Sequence, residues 1–175
     1  MNTEQKKVTE GLKLALQIEN EGREYYKNSI RNCSSKLSKD LLSWLMNEEE
    51  KHKKRFEQLY DKIIENQKWP DISFNYTADS WLKTTFKSSL RATSHTVECR
   101  SDTYIIEKAM ELEDKSCIIY QDRSKAATSD VEKTFYENMA SEERGHYLAL
   151  VDYREYLIDP SGYFVKTERH SLDGA

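Results

Sequence analysis

Residues 48–52 read Glu48-Glu49-Glu50-Lys51-His52, and residues 142–146 read Glu142-Glu143-Arg144-Gly145-His146. The second stretch repeats the first 94 positions later, and the same offset carries Ala15, Glu19 and Tyr26 onto Ala109, Glu113 and Tyr120. Ser35 corresponds to Ser129, while Leu45 with Met139 and Phe56 with Leu150 keep apolar character. A fixed internal period identifies the structural unit before any motif is read. Packing would keep apolar residues wherever a core needs them, but repeated carboxylates and imidazoles call for another cause.

The unit is a helical hairpin. Leu12, Ala15, Leu16, Ile18, Gly22, Tyr25, Tyr26 and Ile30 recur at helical spacing and predict a helix from Val8 to Asn32. After Asn32-Cys33-Ser34-Ser35, the series Leu37, Leu41, Leu42, Leu45, Phe56, Leu59 and Ile63 predicts a second helix that Trp69-Pro70 stops. A third helix is expected over 102–127. A fourth follows Ser129, where Ser129 and Glu132 form a capping box, and ends before Asp159-Pro160. The predicted fold is all-α, a four-helix bundle of two repeated hairpins (8–66 and 102–158) within one domain, 1–158. A long crossover, 67–101, joins them; it reads as aperiodic with a possible short helix near Asp79 to Leu90, and 159–175 forms a tail whose Tyr163, Phe164 and Val165 are expected to pack on the bundle.

Composition agrees. The 175 residues contain only five Gly and two Pro, too few turn signals for a many-stranded fold. Lys and Arg number 27 against 31 Asp and Glu, a net charge of -4 that argues against holding a phosphate backbone, so no nucleic acid is expected as partner. No stretch has the apolar length of a membrane span, and no membrane partner is expected. Cys33, Cys99 and Cys117 are odd in number, lack a CxxC pair and suit a reducing, cytoplasmic location.

Glu49 and His52 are three residues apart, as are Glu143 and His146, so each pair projects from one helix face. Glu19 and Glu49 are equidistant from Ser34, and Glu113 and Glu143 are equidistant from Thr128, which puts each couple at one height, roughly 22 Å from its turn at ~1.5 Å per residue. If the crossover makes the second hairpin run opposite to the first, all six residues meet at mid-bundle. A lone Glu-x-x-His is ordinarily a solvated face. Two copies, each with a partnering Glu 30 positions upstream, are not. Four carboxylates and two imidazoles buried without cations would be prohibitively costly. One Glu from each of two helices plus Glu-x-x-His from the other two is the ligand set of di-iron or di-manganese carboxylate bundles. Glu19, Glu49, His52, Glu113, Glu143 and His146 are therefore the candidate metal ligands, and oxygen with imidazole donors suits two iron ions, with manganese as an alternative. Tyr26 and Tyr120 lie two turns beyond Glu19 and Glu113 and are candidate hydrogen-bond donors to the ligand carboxylates. Glu48 and Glu142 sit about 100° round the helix from the ligands and read as solvated, the run Lys51 to Arg55 as an exposed face, His95 and His170 as surface residues, and Cys117 as a small buried hydrophobe.

Ala15 through Glu19 to Tyr25-Tyr26, Glu48-Glu49-Glu50-Lys51-His52, Ala109 through Glu113 to Tyr120, and Glu142-Glu143-Arg144-Gly145-His146 together resemble the rubrerythrin-like branch of the ferritin-like superfamily across all four helices. The resemblance implies that Glu49 and Glu143 bridge two metals, that Glu19 and Glu113 are terminal, and that each metal takes one histidine. It also implies a peroxidase that reduces hydrogen peroxide to water in oxidative-stress defence, with dioxygen as the other possible oxidant. The sequence departs from rubrerythrins proper at Ser116, where they carry a further Glu. It also lacks the CxxC motifs of a rubredoxin domain, so electrons are expected from an external carrier such as a rubredoxin. A homodimer is a candidate assembly. Alternative readings are a ferroxidase or iron-handling protein, and a structural protein stabilised by its metal.

Overall fold

The computed structural model describes residues 3–66, 69–70 and 100–163. Among these, four helices account for nearly everything: α1 (Thr3–Asn32), α2 (Lys36–Asn66), α3 (Arg100–Ala126) and α4 (Asp130–Ile158). The all-α expectation holds. Helix α1 starts five residues earlier than the apolar pattern does, because the polar turn before Val8 continues the helix without needing a buried face. Helix α3 likewise begins at Arg100, two residues ahead of expectation. The remaining crossover positions, with the short helix expected near Asp79 to Leu90, lie outside the described residues, as do Cys99, His95, His170, Phe164 and Val165.

Helix α1 packs along α2, α3 along α4, and α1 meets α3. At the first hairpin turn, Ser35 caps α2, its Oγ accepting from the backbone N–H of Leu37 at 3.1 Å. No acidic residue occupies the first turn of α2. Asp102, from the first turn of α3, supplies the missing negative charge: its Oδ1 accepts from Ser34 N and its Oδ2 from Ser35 N, both at 2.9 Å, and Oδ2 also accepts from Ser38 Oγ at 2.7 Å. The beginning of the second hairpin thus sits at the turn of the first, and the two hairpins run in opposite senses. At the other turn, Ser129 Oγ accepts from Glu132 N, as the capping box requires. Glu132 Oε2 accepts from Thr128 N, one residue before the position the box predicts.

Opposite running divides the interior into two apolar clusters. One joins Tyr26, Leu41, Leu42 and Leu45 to Ile106, Ala109, Leu150, Tyr153 and Tyr156. Tyr163 belongs to the same cluster, as the sequence suggests: the turn capped by Asp159 brings its ring edge-on to Tyr156, and its hydroxyl donates to Asp152 Oδ2 at 2.9 Å. The other cluster joins Leu12, Ala15, Phe56, Leu59 and Ile63 to Tyr120, Phe135, Tyr136 and Met139. Between them lies a polar layer at mid-height.

Candidate metal centre

The polar layer is formed by Glu19, Glu49, His52, Glu113, Glu143 and His146, none of them more than 5 % exposed. Their oxygen and Nδ1 atoms crowd together: His52 Nδ1 is 3.2 Å from Glu19 Oε2 and 3.0 Å from Glu143 Oε1, while His146 Nδ1 is 3.3 Å from Glu143 Oε2 and 3.5 Å from Glu113 Oε2. The two imidazoles are stacked, with centroids 5.4 Å apart and planes 17° from parallel. Gly22, one turn beyond Glu19, faces the Glu49 carboxyl group; a Cβ there would lie 3.4 Å from the carboxyl carbon, at van der Waals contact.

The side chains fall into two groups whose donor atoms lie within 4.8 Å of one another, Glu19, Glu49, His52 and Glu143 in one, and Glu49, Glu113, Glu143 and His146 in the other. Glu49 and Glu143 belong to both. Two buried carboxylate oxygens, Glu113 Oε2 and Glu143 Oε1, accept no well-aligned hydrogen bond, each facing only a histidine Nδ1, at 3.5 and 3.0 Å. Buried anionic oxygens of this kind require a counter-charge. Oxygen and imidazole donors without thiolate suit iron or manganese, so the residues present fit a pair of such ions.

The side chains alone meet the charge problem with protons. Burial, reinforced by the neighbouring carboxylates of Glu19 and Glu143, pushes Glu49 well above the usual carboxylate range. Burial and Glu143 raise Glu113 to about 8, although His146 opposes them. For the histidines burial works toward the neutral form and is outweighed: Glu143 and Glu19 hold His52 well above its ordinary value, and Glu113 with Glu143 raises His146 to about 10. Glu143 is the exception, since His52 and His146 overcome its burial and hold it well below the usual range. A divalent cation competes with these protons for the same oxygens and nitrogens.

Both tyrosines reach carboxylates of the cluster, but across the molecule rather than along their own helices. Tyr26 on α1 donates to Glu113 Oε1 on α3, and Tyr120 on α3 donates to Glu19 Oε1 on α1. The repeat thereby forms a reciprocal pair of inter-hairpin bonds. Burial, and then the charge of the bonded Glu, keeps both phenols protonated.

Three expectations need correction. Glu142 is not solvated: its Oε2 lies 2.7 Å from His52 Nε2, and Arg55 Nη1 lies 2.7 Å from each of its oxygens. Arg55 accordingly leaves the exposed run on which the sequence placed it, and reaches across to α4. Glu48 is also buried, although its Oε1 turns toward exposed Lys51 Nζ at 2.6 Å. For Glu142, facing about 100° away from the metal ligands means facing α2, where the far edge of His52 lies. The repetition of Glu48 as Glu142 was the available signal. Trp44, whose ring stands edge-on to His146 at 5.2 Å, carried no such signal because position 138 is Asn. Cys117 is buried as expected, its Sγ donating to Ala140 O at 3.4 Å, and Ser116 Oγ is occupied by Leu112 O.

The model of the rubrerythrin family matches residues 10–153, which contain all six cluster residues and both tyrosines. The chain belongs to the rubrerythrin family. Its fold is similar to that of a hypothetical protein from Pyrococcus furiosus, with a TM-score of 0.62 and 22 % identity over 86 % of this chain and 90 % of that one. No curated protein matches the chain. Membership in the rubrerythrin family and the buried carboxylate–histidine cluster suit a di-iron protein with oxidoreductase character. No described helix is long and apolar enough to cross a membrane.

Proposed function

We propose that this rubrerythrin-family chain is a non-haem di-iron peroxidase that reduces hydrogen peroxide to water. Glu19, Glu49, His52 and Glu143 would hold one iron, and Glu49, Glu113, Glu143 and His146 the other. The observation that carries the reading is the sharing of Glu49 and Glu143 between two otherwise separate donor groups, each with its own terminal Glu and its own His. When bound, two ferrous ions supply the two electrons that cleavage of the peroxide bond requires.

The chain's own residues do the rest. Glu49 and Glu143 would be shared by the two ions, while the two apolar clusters exclude bulk water above and below the cluster. Tyr26 and Tyr120 keep their hydroxyl protons and hold the carboxylates of Glu113 and Glu19 in fixed orientations. Both phenols are thereby protons held one carboxylate away from the metal positions. Electrons come from an external carrier such as a rubredoxin, and the reaction belongs to cytoplasmic oxidative-stress defence.

The test is stopped-flow mixing of the anaerobically reduced, iron-loaded protein with peroxide and, separately, with dioxygen. Peroxide should oxidise the protein much the faster, with turnover only when a donor is added. Faster oxidation by dioxygen, with ferric mineral accumulating in a large assembly, would replace this reading with a ferroxidase. Purification with redox-silent zinc, and neither activity after iron reconstitution, would leave a structural metal.

A further inference from the structure

The two halves of the centre are related by the repeat, yet the residues behind the two histidines are not. On one side Glu142 accepts from His52 Nε2, and Arg55 anchors that carboxylate through both oxygens. In the repeat the counterpart of Glu142 is Glu48, and that of Arg55 is Ala149. Glu48 pairs with Lys51, whose counterpart is Gly145, and the ring of His146 packs perpendicular to that of Trp44. Two substitutions between the repeats, Lys51 against Gly145 and Arg55 against Ala149, thus break the symmetry of the surroundings while the six candidate ligands keep it.

A carboxylate hydrogen-bonded to the remote nitrogen of a ligating histidine fixes the ring's tautomer and direction and makes its metal-facing nitrogen a stronger donor; loss of such a partner typically costs 10–100-fold in metal affinity. On the dimetal reading above, we infer that the two positions are unequal: the metal held by the His52 half binds more tightly, and Glu142 with Arg55 are the positioning residues responsible. His52 Nδ1 faces Glu19 and Glu143 while Nε2 is committed to Glu142, so the nitrogen presented to a metal is already selected. For His146 the corresponding carboxylate is engaged elsewhere. The protein therefore fills in order, and a half-loaded form carries its metal on the His52 side.

The experiment is anaerobic titration of the metal-free full chain with cobalt(II) alone, followed by its visible absorption and by calorimetry. Two steps separated by about tenfold or more are expected. Glu142→Gln should weaken the tighter step by about 10–100-fold and leave the weaker one in place. Arg55→Ala, a change at a partly exposed position that leaves the core intact, should shift the tighter step in the same direction by less. Lys51→Ala should leave the tighter step unchanged. A single step of two ions in the wild type, an equal effect of Glu142→Gln on both steps, or an effect of Lys51→Ala as large as that of Glu142→Gln would overturn the inference while sparing the dimetal reading. Failure of the wild type to take up two ions would overturn both.

Discussion

Glu49 and Glu143 differ from the other four cluster residues in belonging to both donor groups, and that difference is measurable. Glu49→Ala or Glu143→Ala should reduce uptake of both ions, whereas Glu19→Ala or Glu113→Ala should chiefly reduce one. Glu48→Ala, which removes a carboxylate paired with Lys51, should leave metal stoichiometry at the wild-type value, and metal analysis of reconstituted protein checks all five. The tyrosines make a second case. Tyr26→Phe strips Glu113 of a buried donor and Tyr120→Phe does the same to Glu19, so each should destabilise the metal-free protein by about 1–3 kcal/mol in denaturant titrations. Only one partner is removed in each variant, and the carboxylate left behind bears the penalty.

Helix α2 depends on a residue from another hairpin. Its N-terminus has no acidic side chain of its own, and Asp102 of α3 receives the N–H groups of Ser34 and Ser35 together with the hydroxyls of Ser34 and Ser38. Burial alone would push the Asp102 carboxyl up, but those backbone and hydroxyl donors outweigh it and hold it below the usual range. A depressed folded value means that the stability from Asp102 is fully present above the unfolded carboxyl value of about 3.9, and is lost as pH falls through the folded value. Asp102→Asn should therefore cost about 1–3 kcal/mol near neutral pH, with the difference from wild type shrinking in urea titrations below about pH 4. Ser129, which caps α4 within its own hairpin, is the local counterpart; Ser129→Ala should cost about 1 kcal/mol with little pH dependence.

At the scale of the molecule, the polar layer is held between two apolar clusters that each draw residues from all four helices. Those clusters do not depend on the metal ligands, so removing metal with a chelator should leave the helical circular dichroism in place. It should also lower the melting temperature, because ions that bind only the folded cluster stabilise it by about 2.7 kcal/mol at a hundredfold excess over the dissociation constant. Complete loss of helix on chelation would mean that the metal, rather than the clusters, holds the two hairpins together.

Helix number, hairpin pairing and the six cluster positions were legible in the amino-acid sequence because they rest on spacing. A period of 3.6 residues puts Glu49 and His52 on one face, and the offset of 94 doubles that face. The opposite sense of the hairpins followed only as a condition, and it is Asp102 reaching Ser34 and Ser35 that decides it. Spacing within a helix states which direction a side chain leaves its own axis, never what stands there. Glu142 and Glu48 leave their helices alike, yet one meets His52 and Arg55 while the other turns to Lys51. Tyr26 and Tyr120 were expected to reach carboxylates, but that each reaches the one on the opposite hairpin depends on how closely α1 and α3 approach. Such pairings join residues some 90 to 100 positions apart, and only the packing of one helix on another brings them within hydrogen-bonding distance.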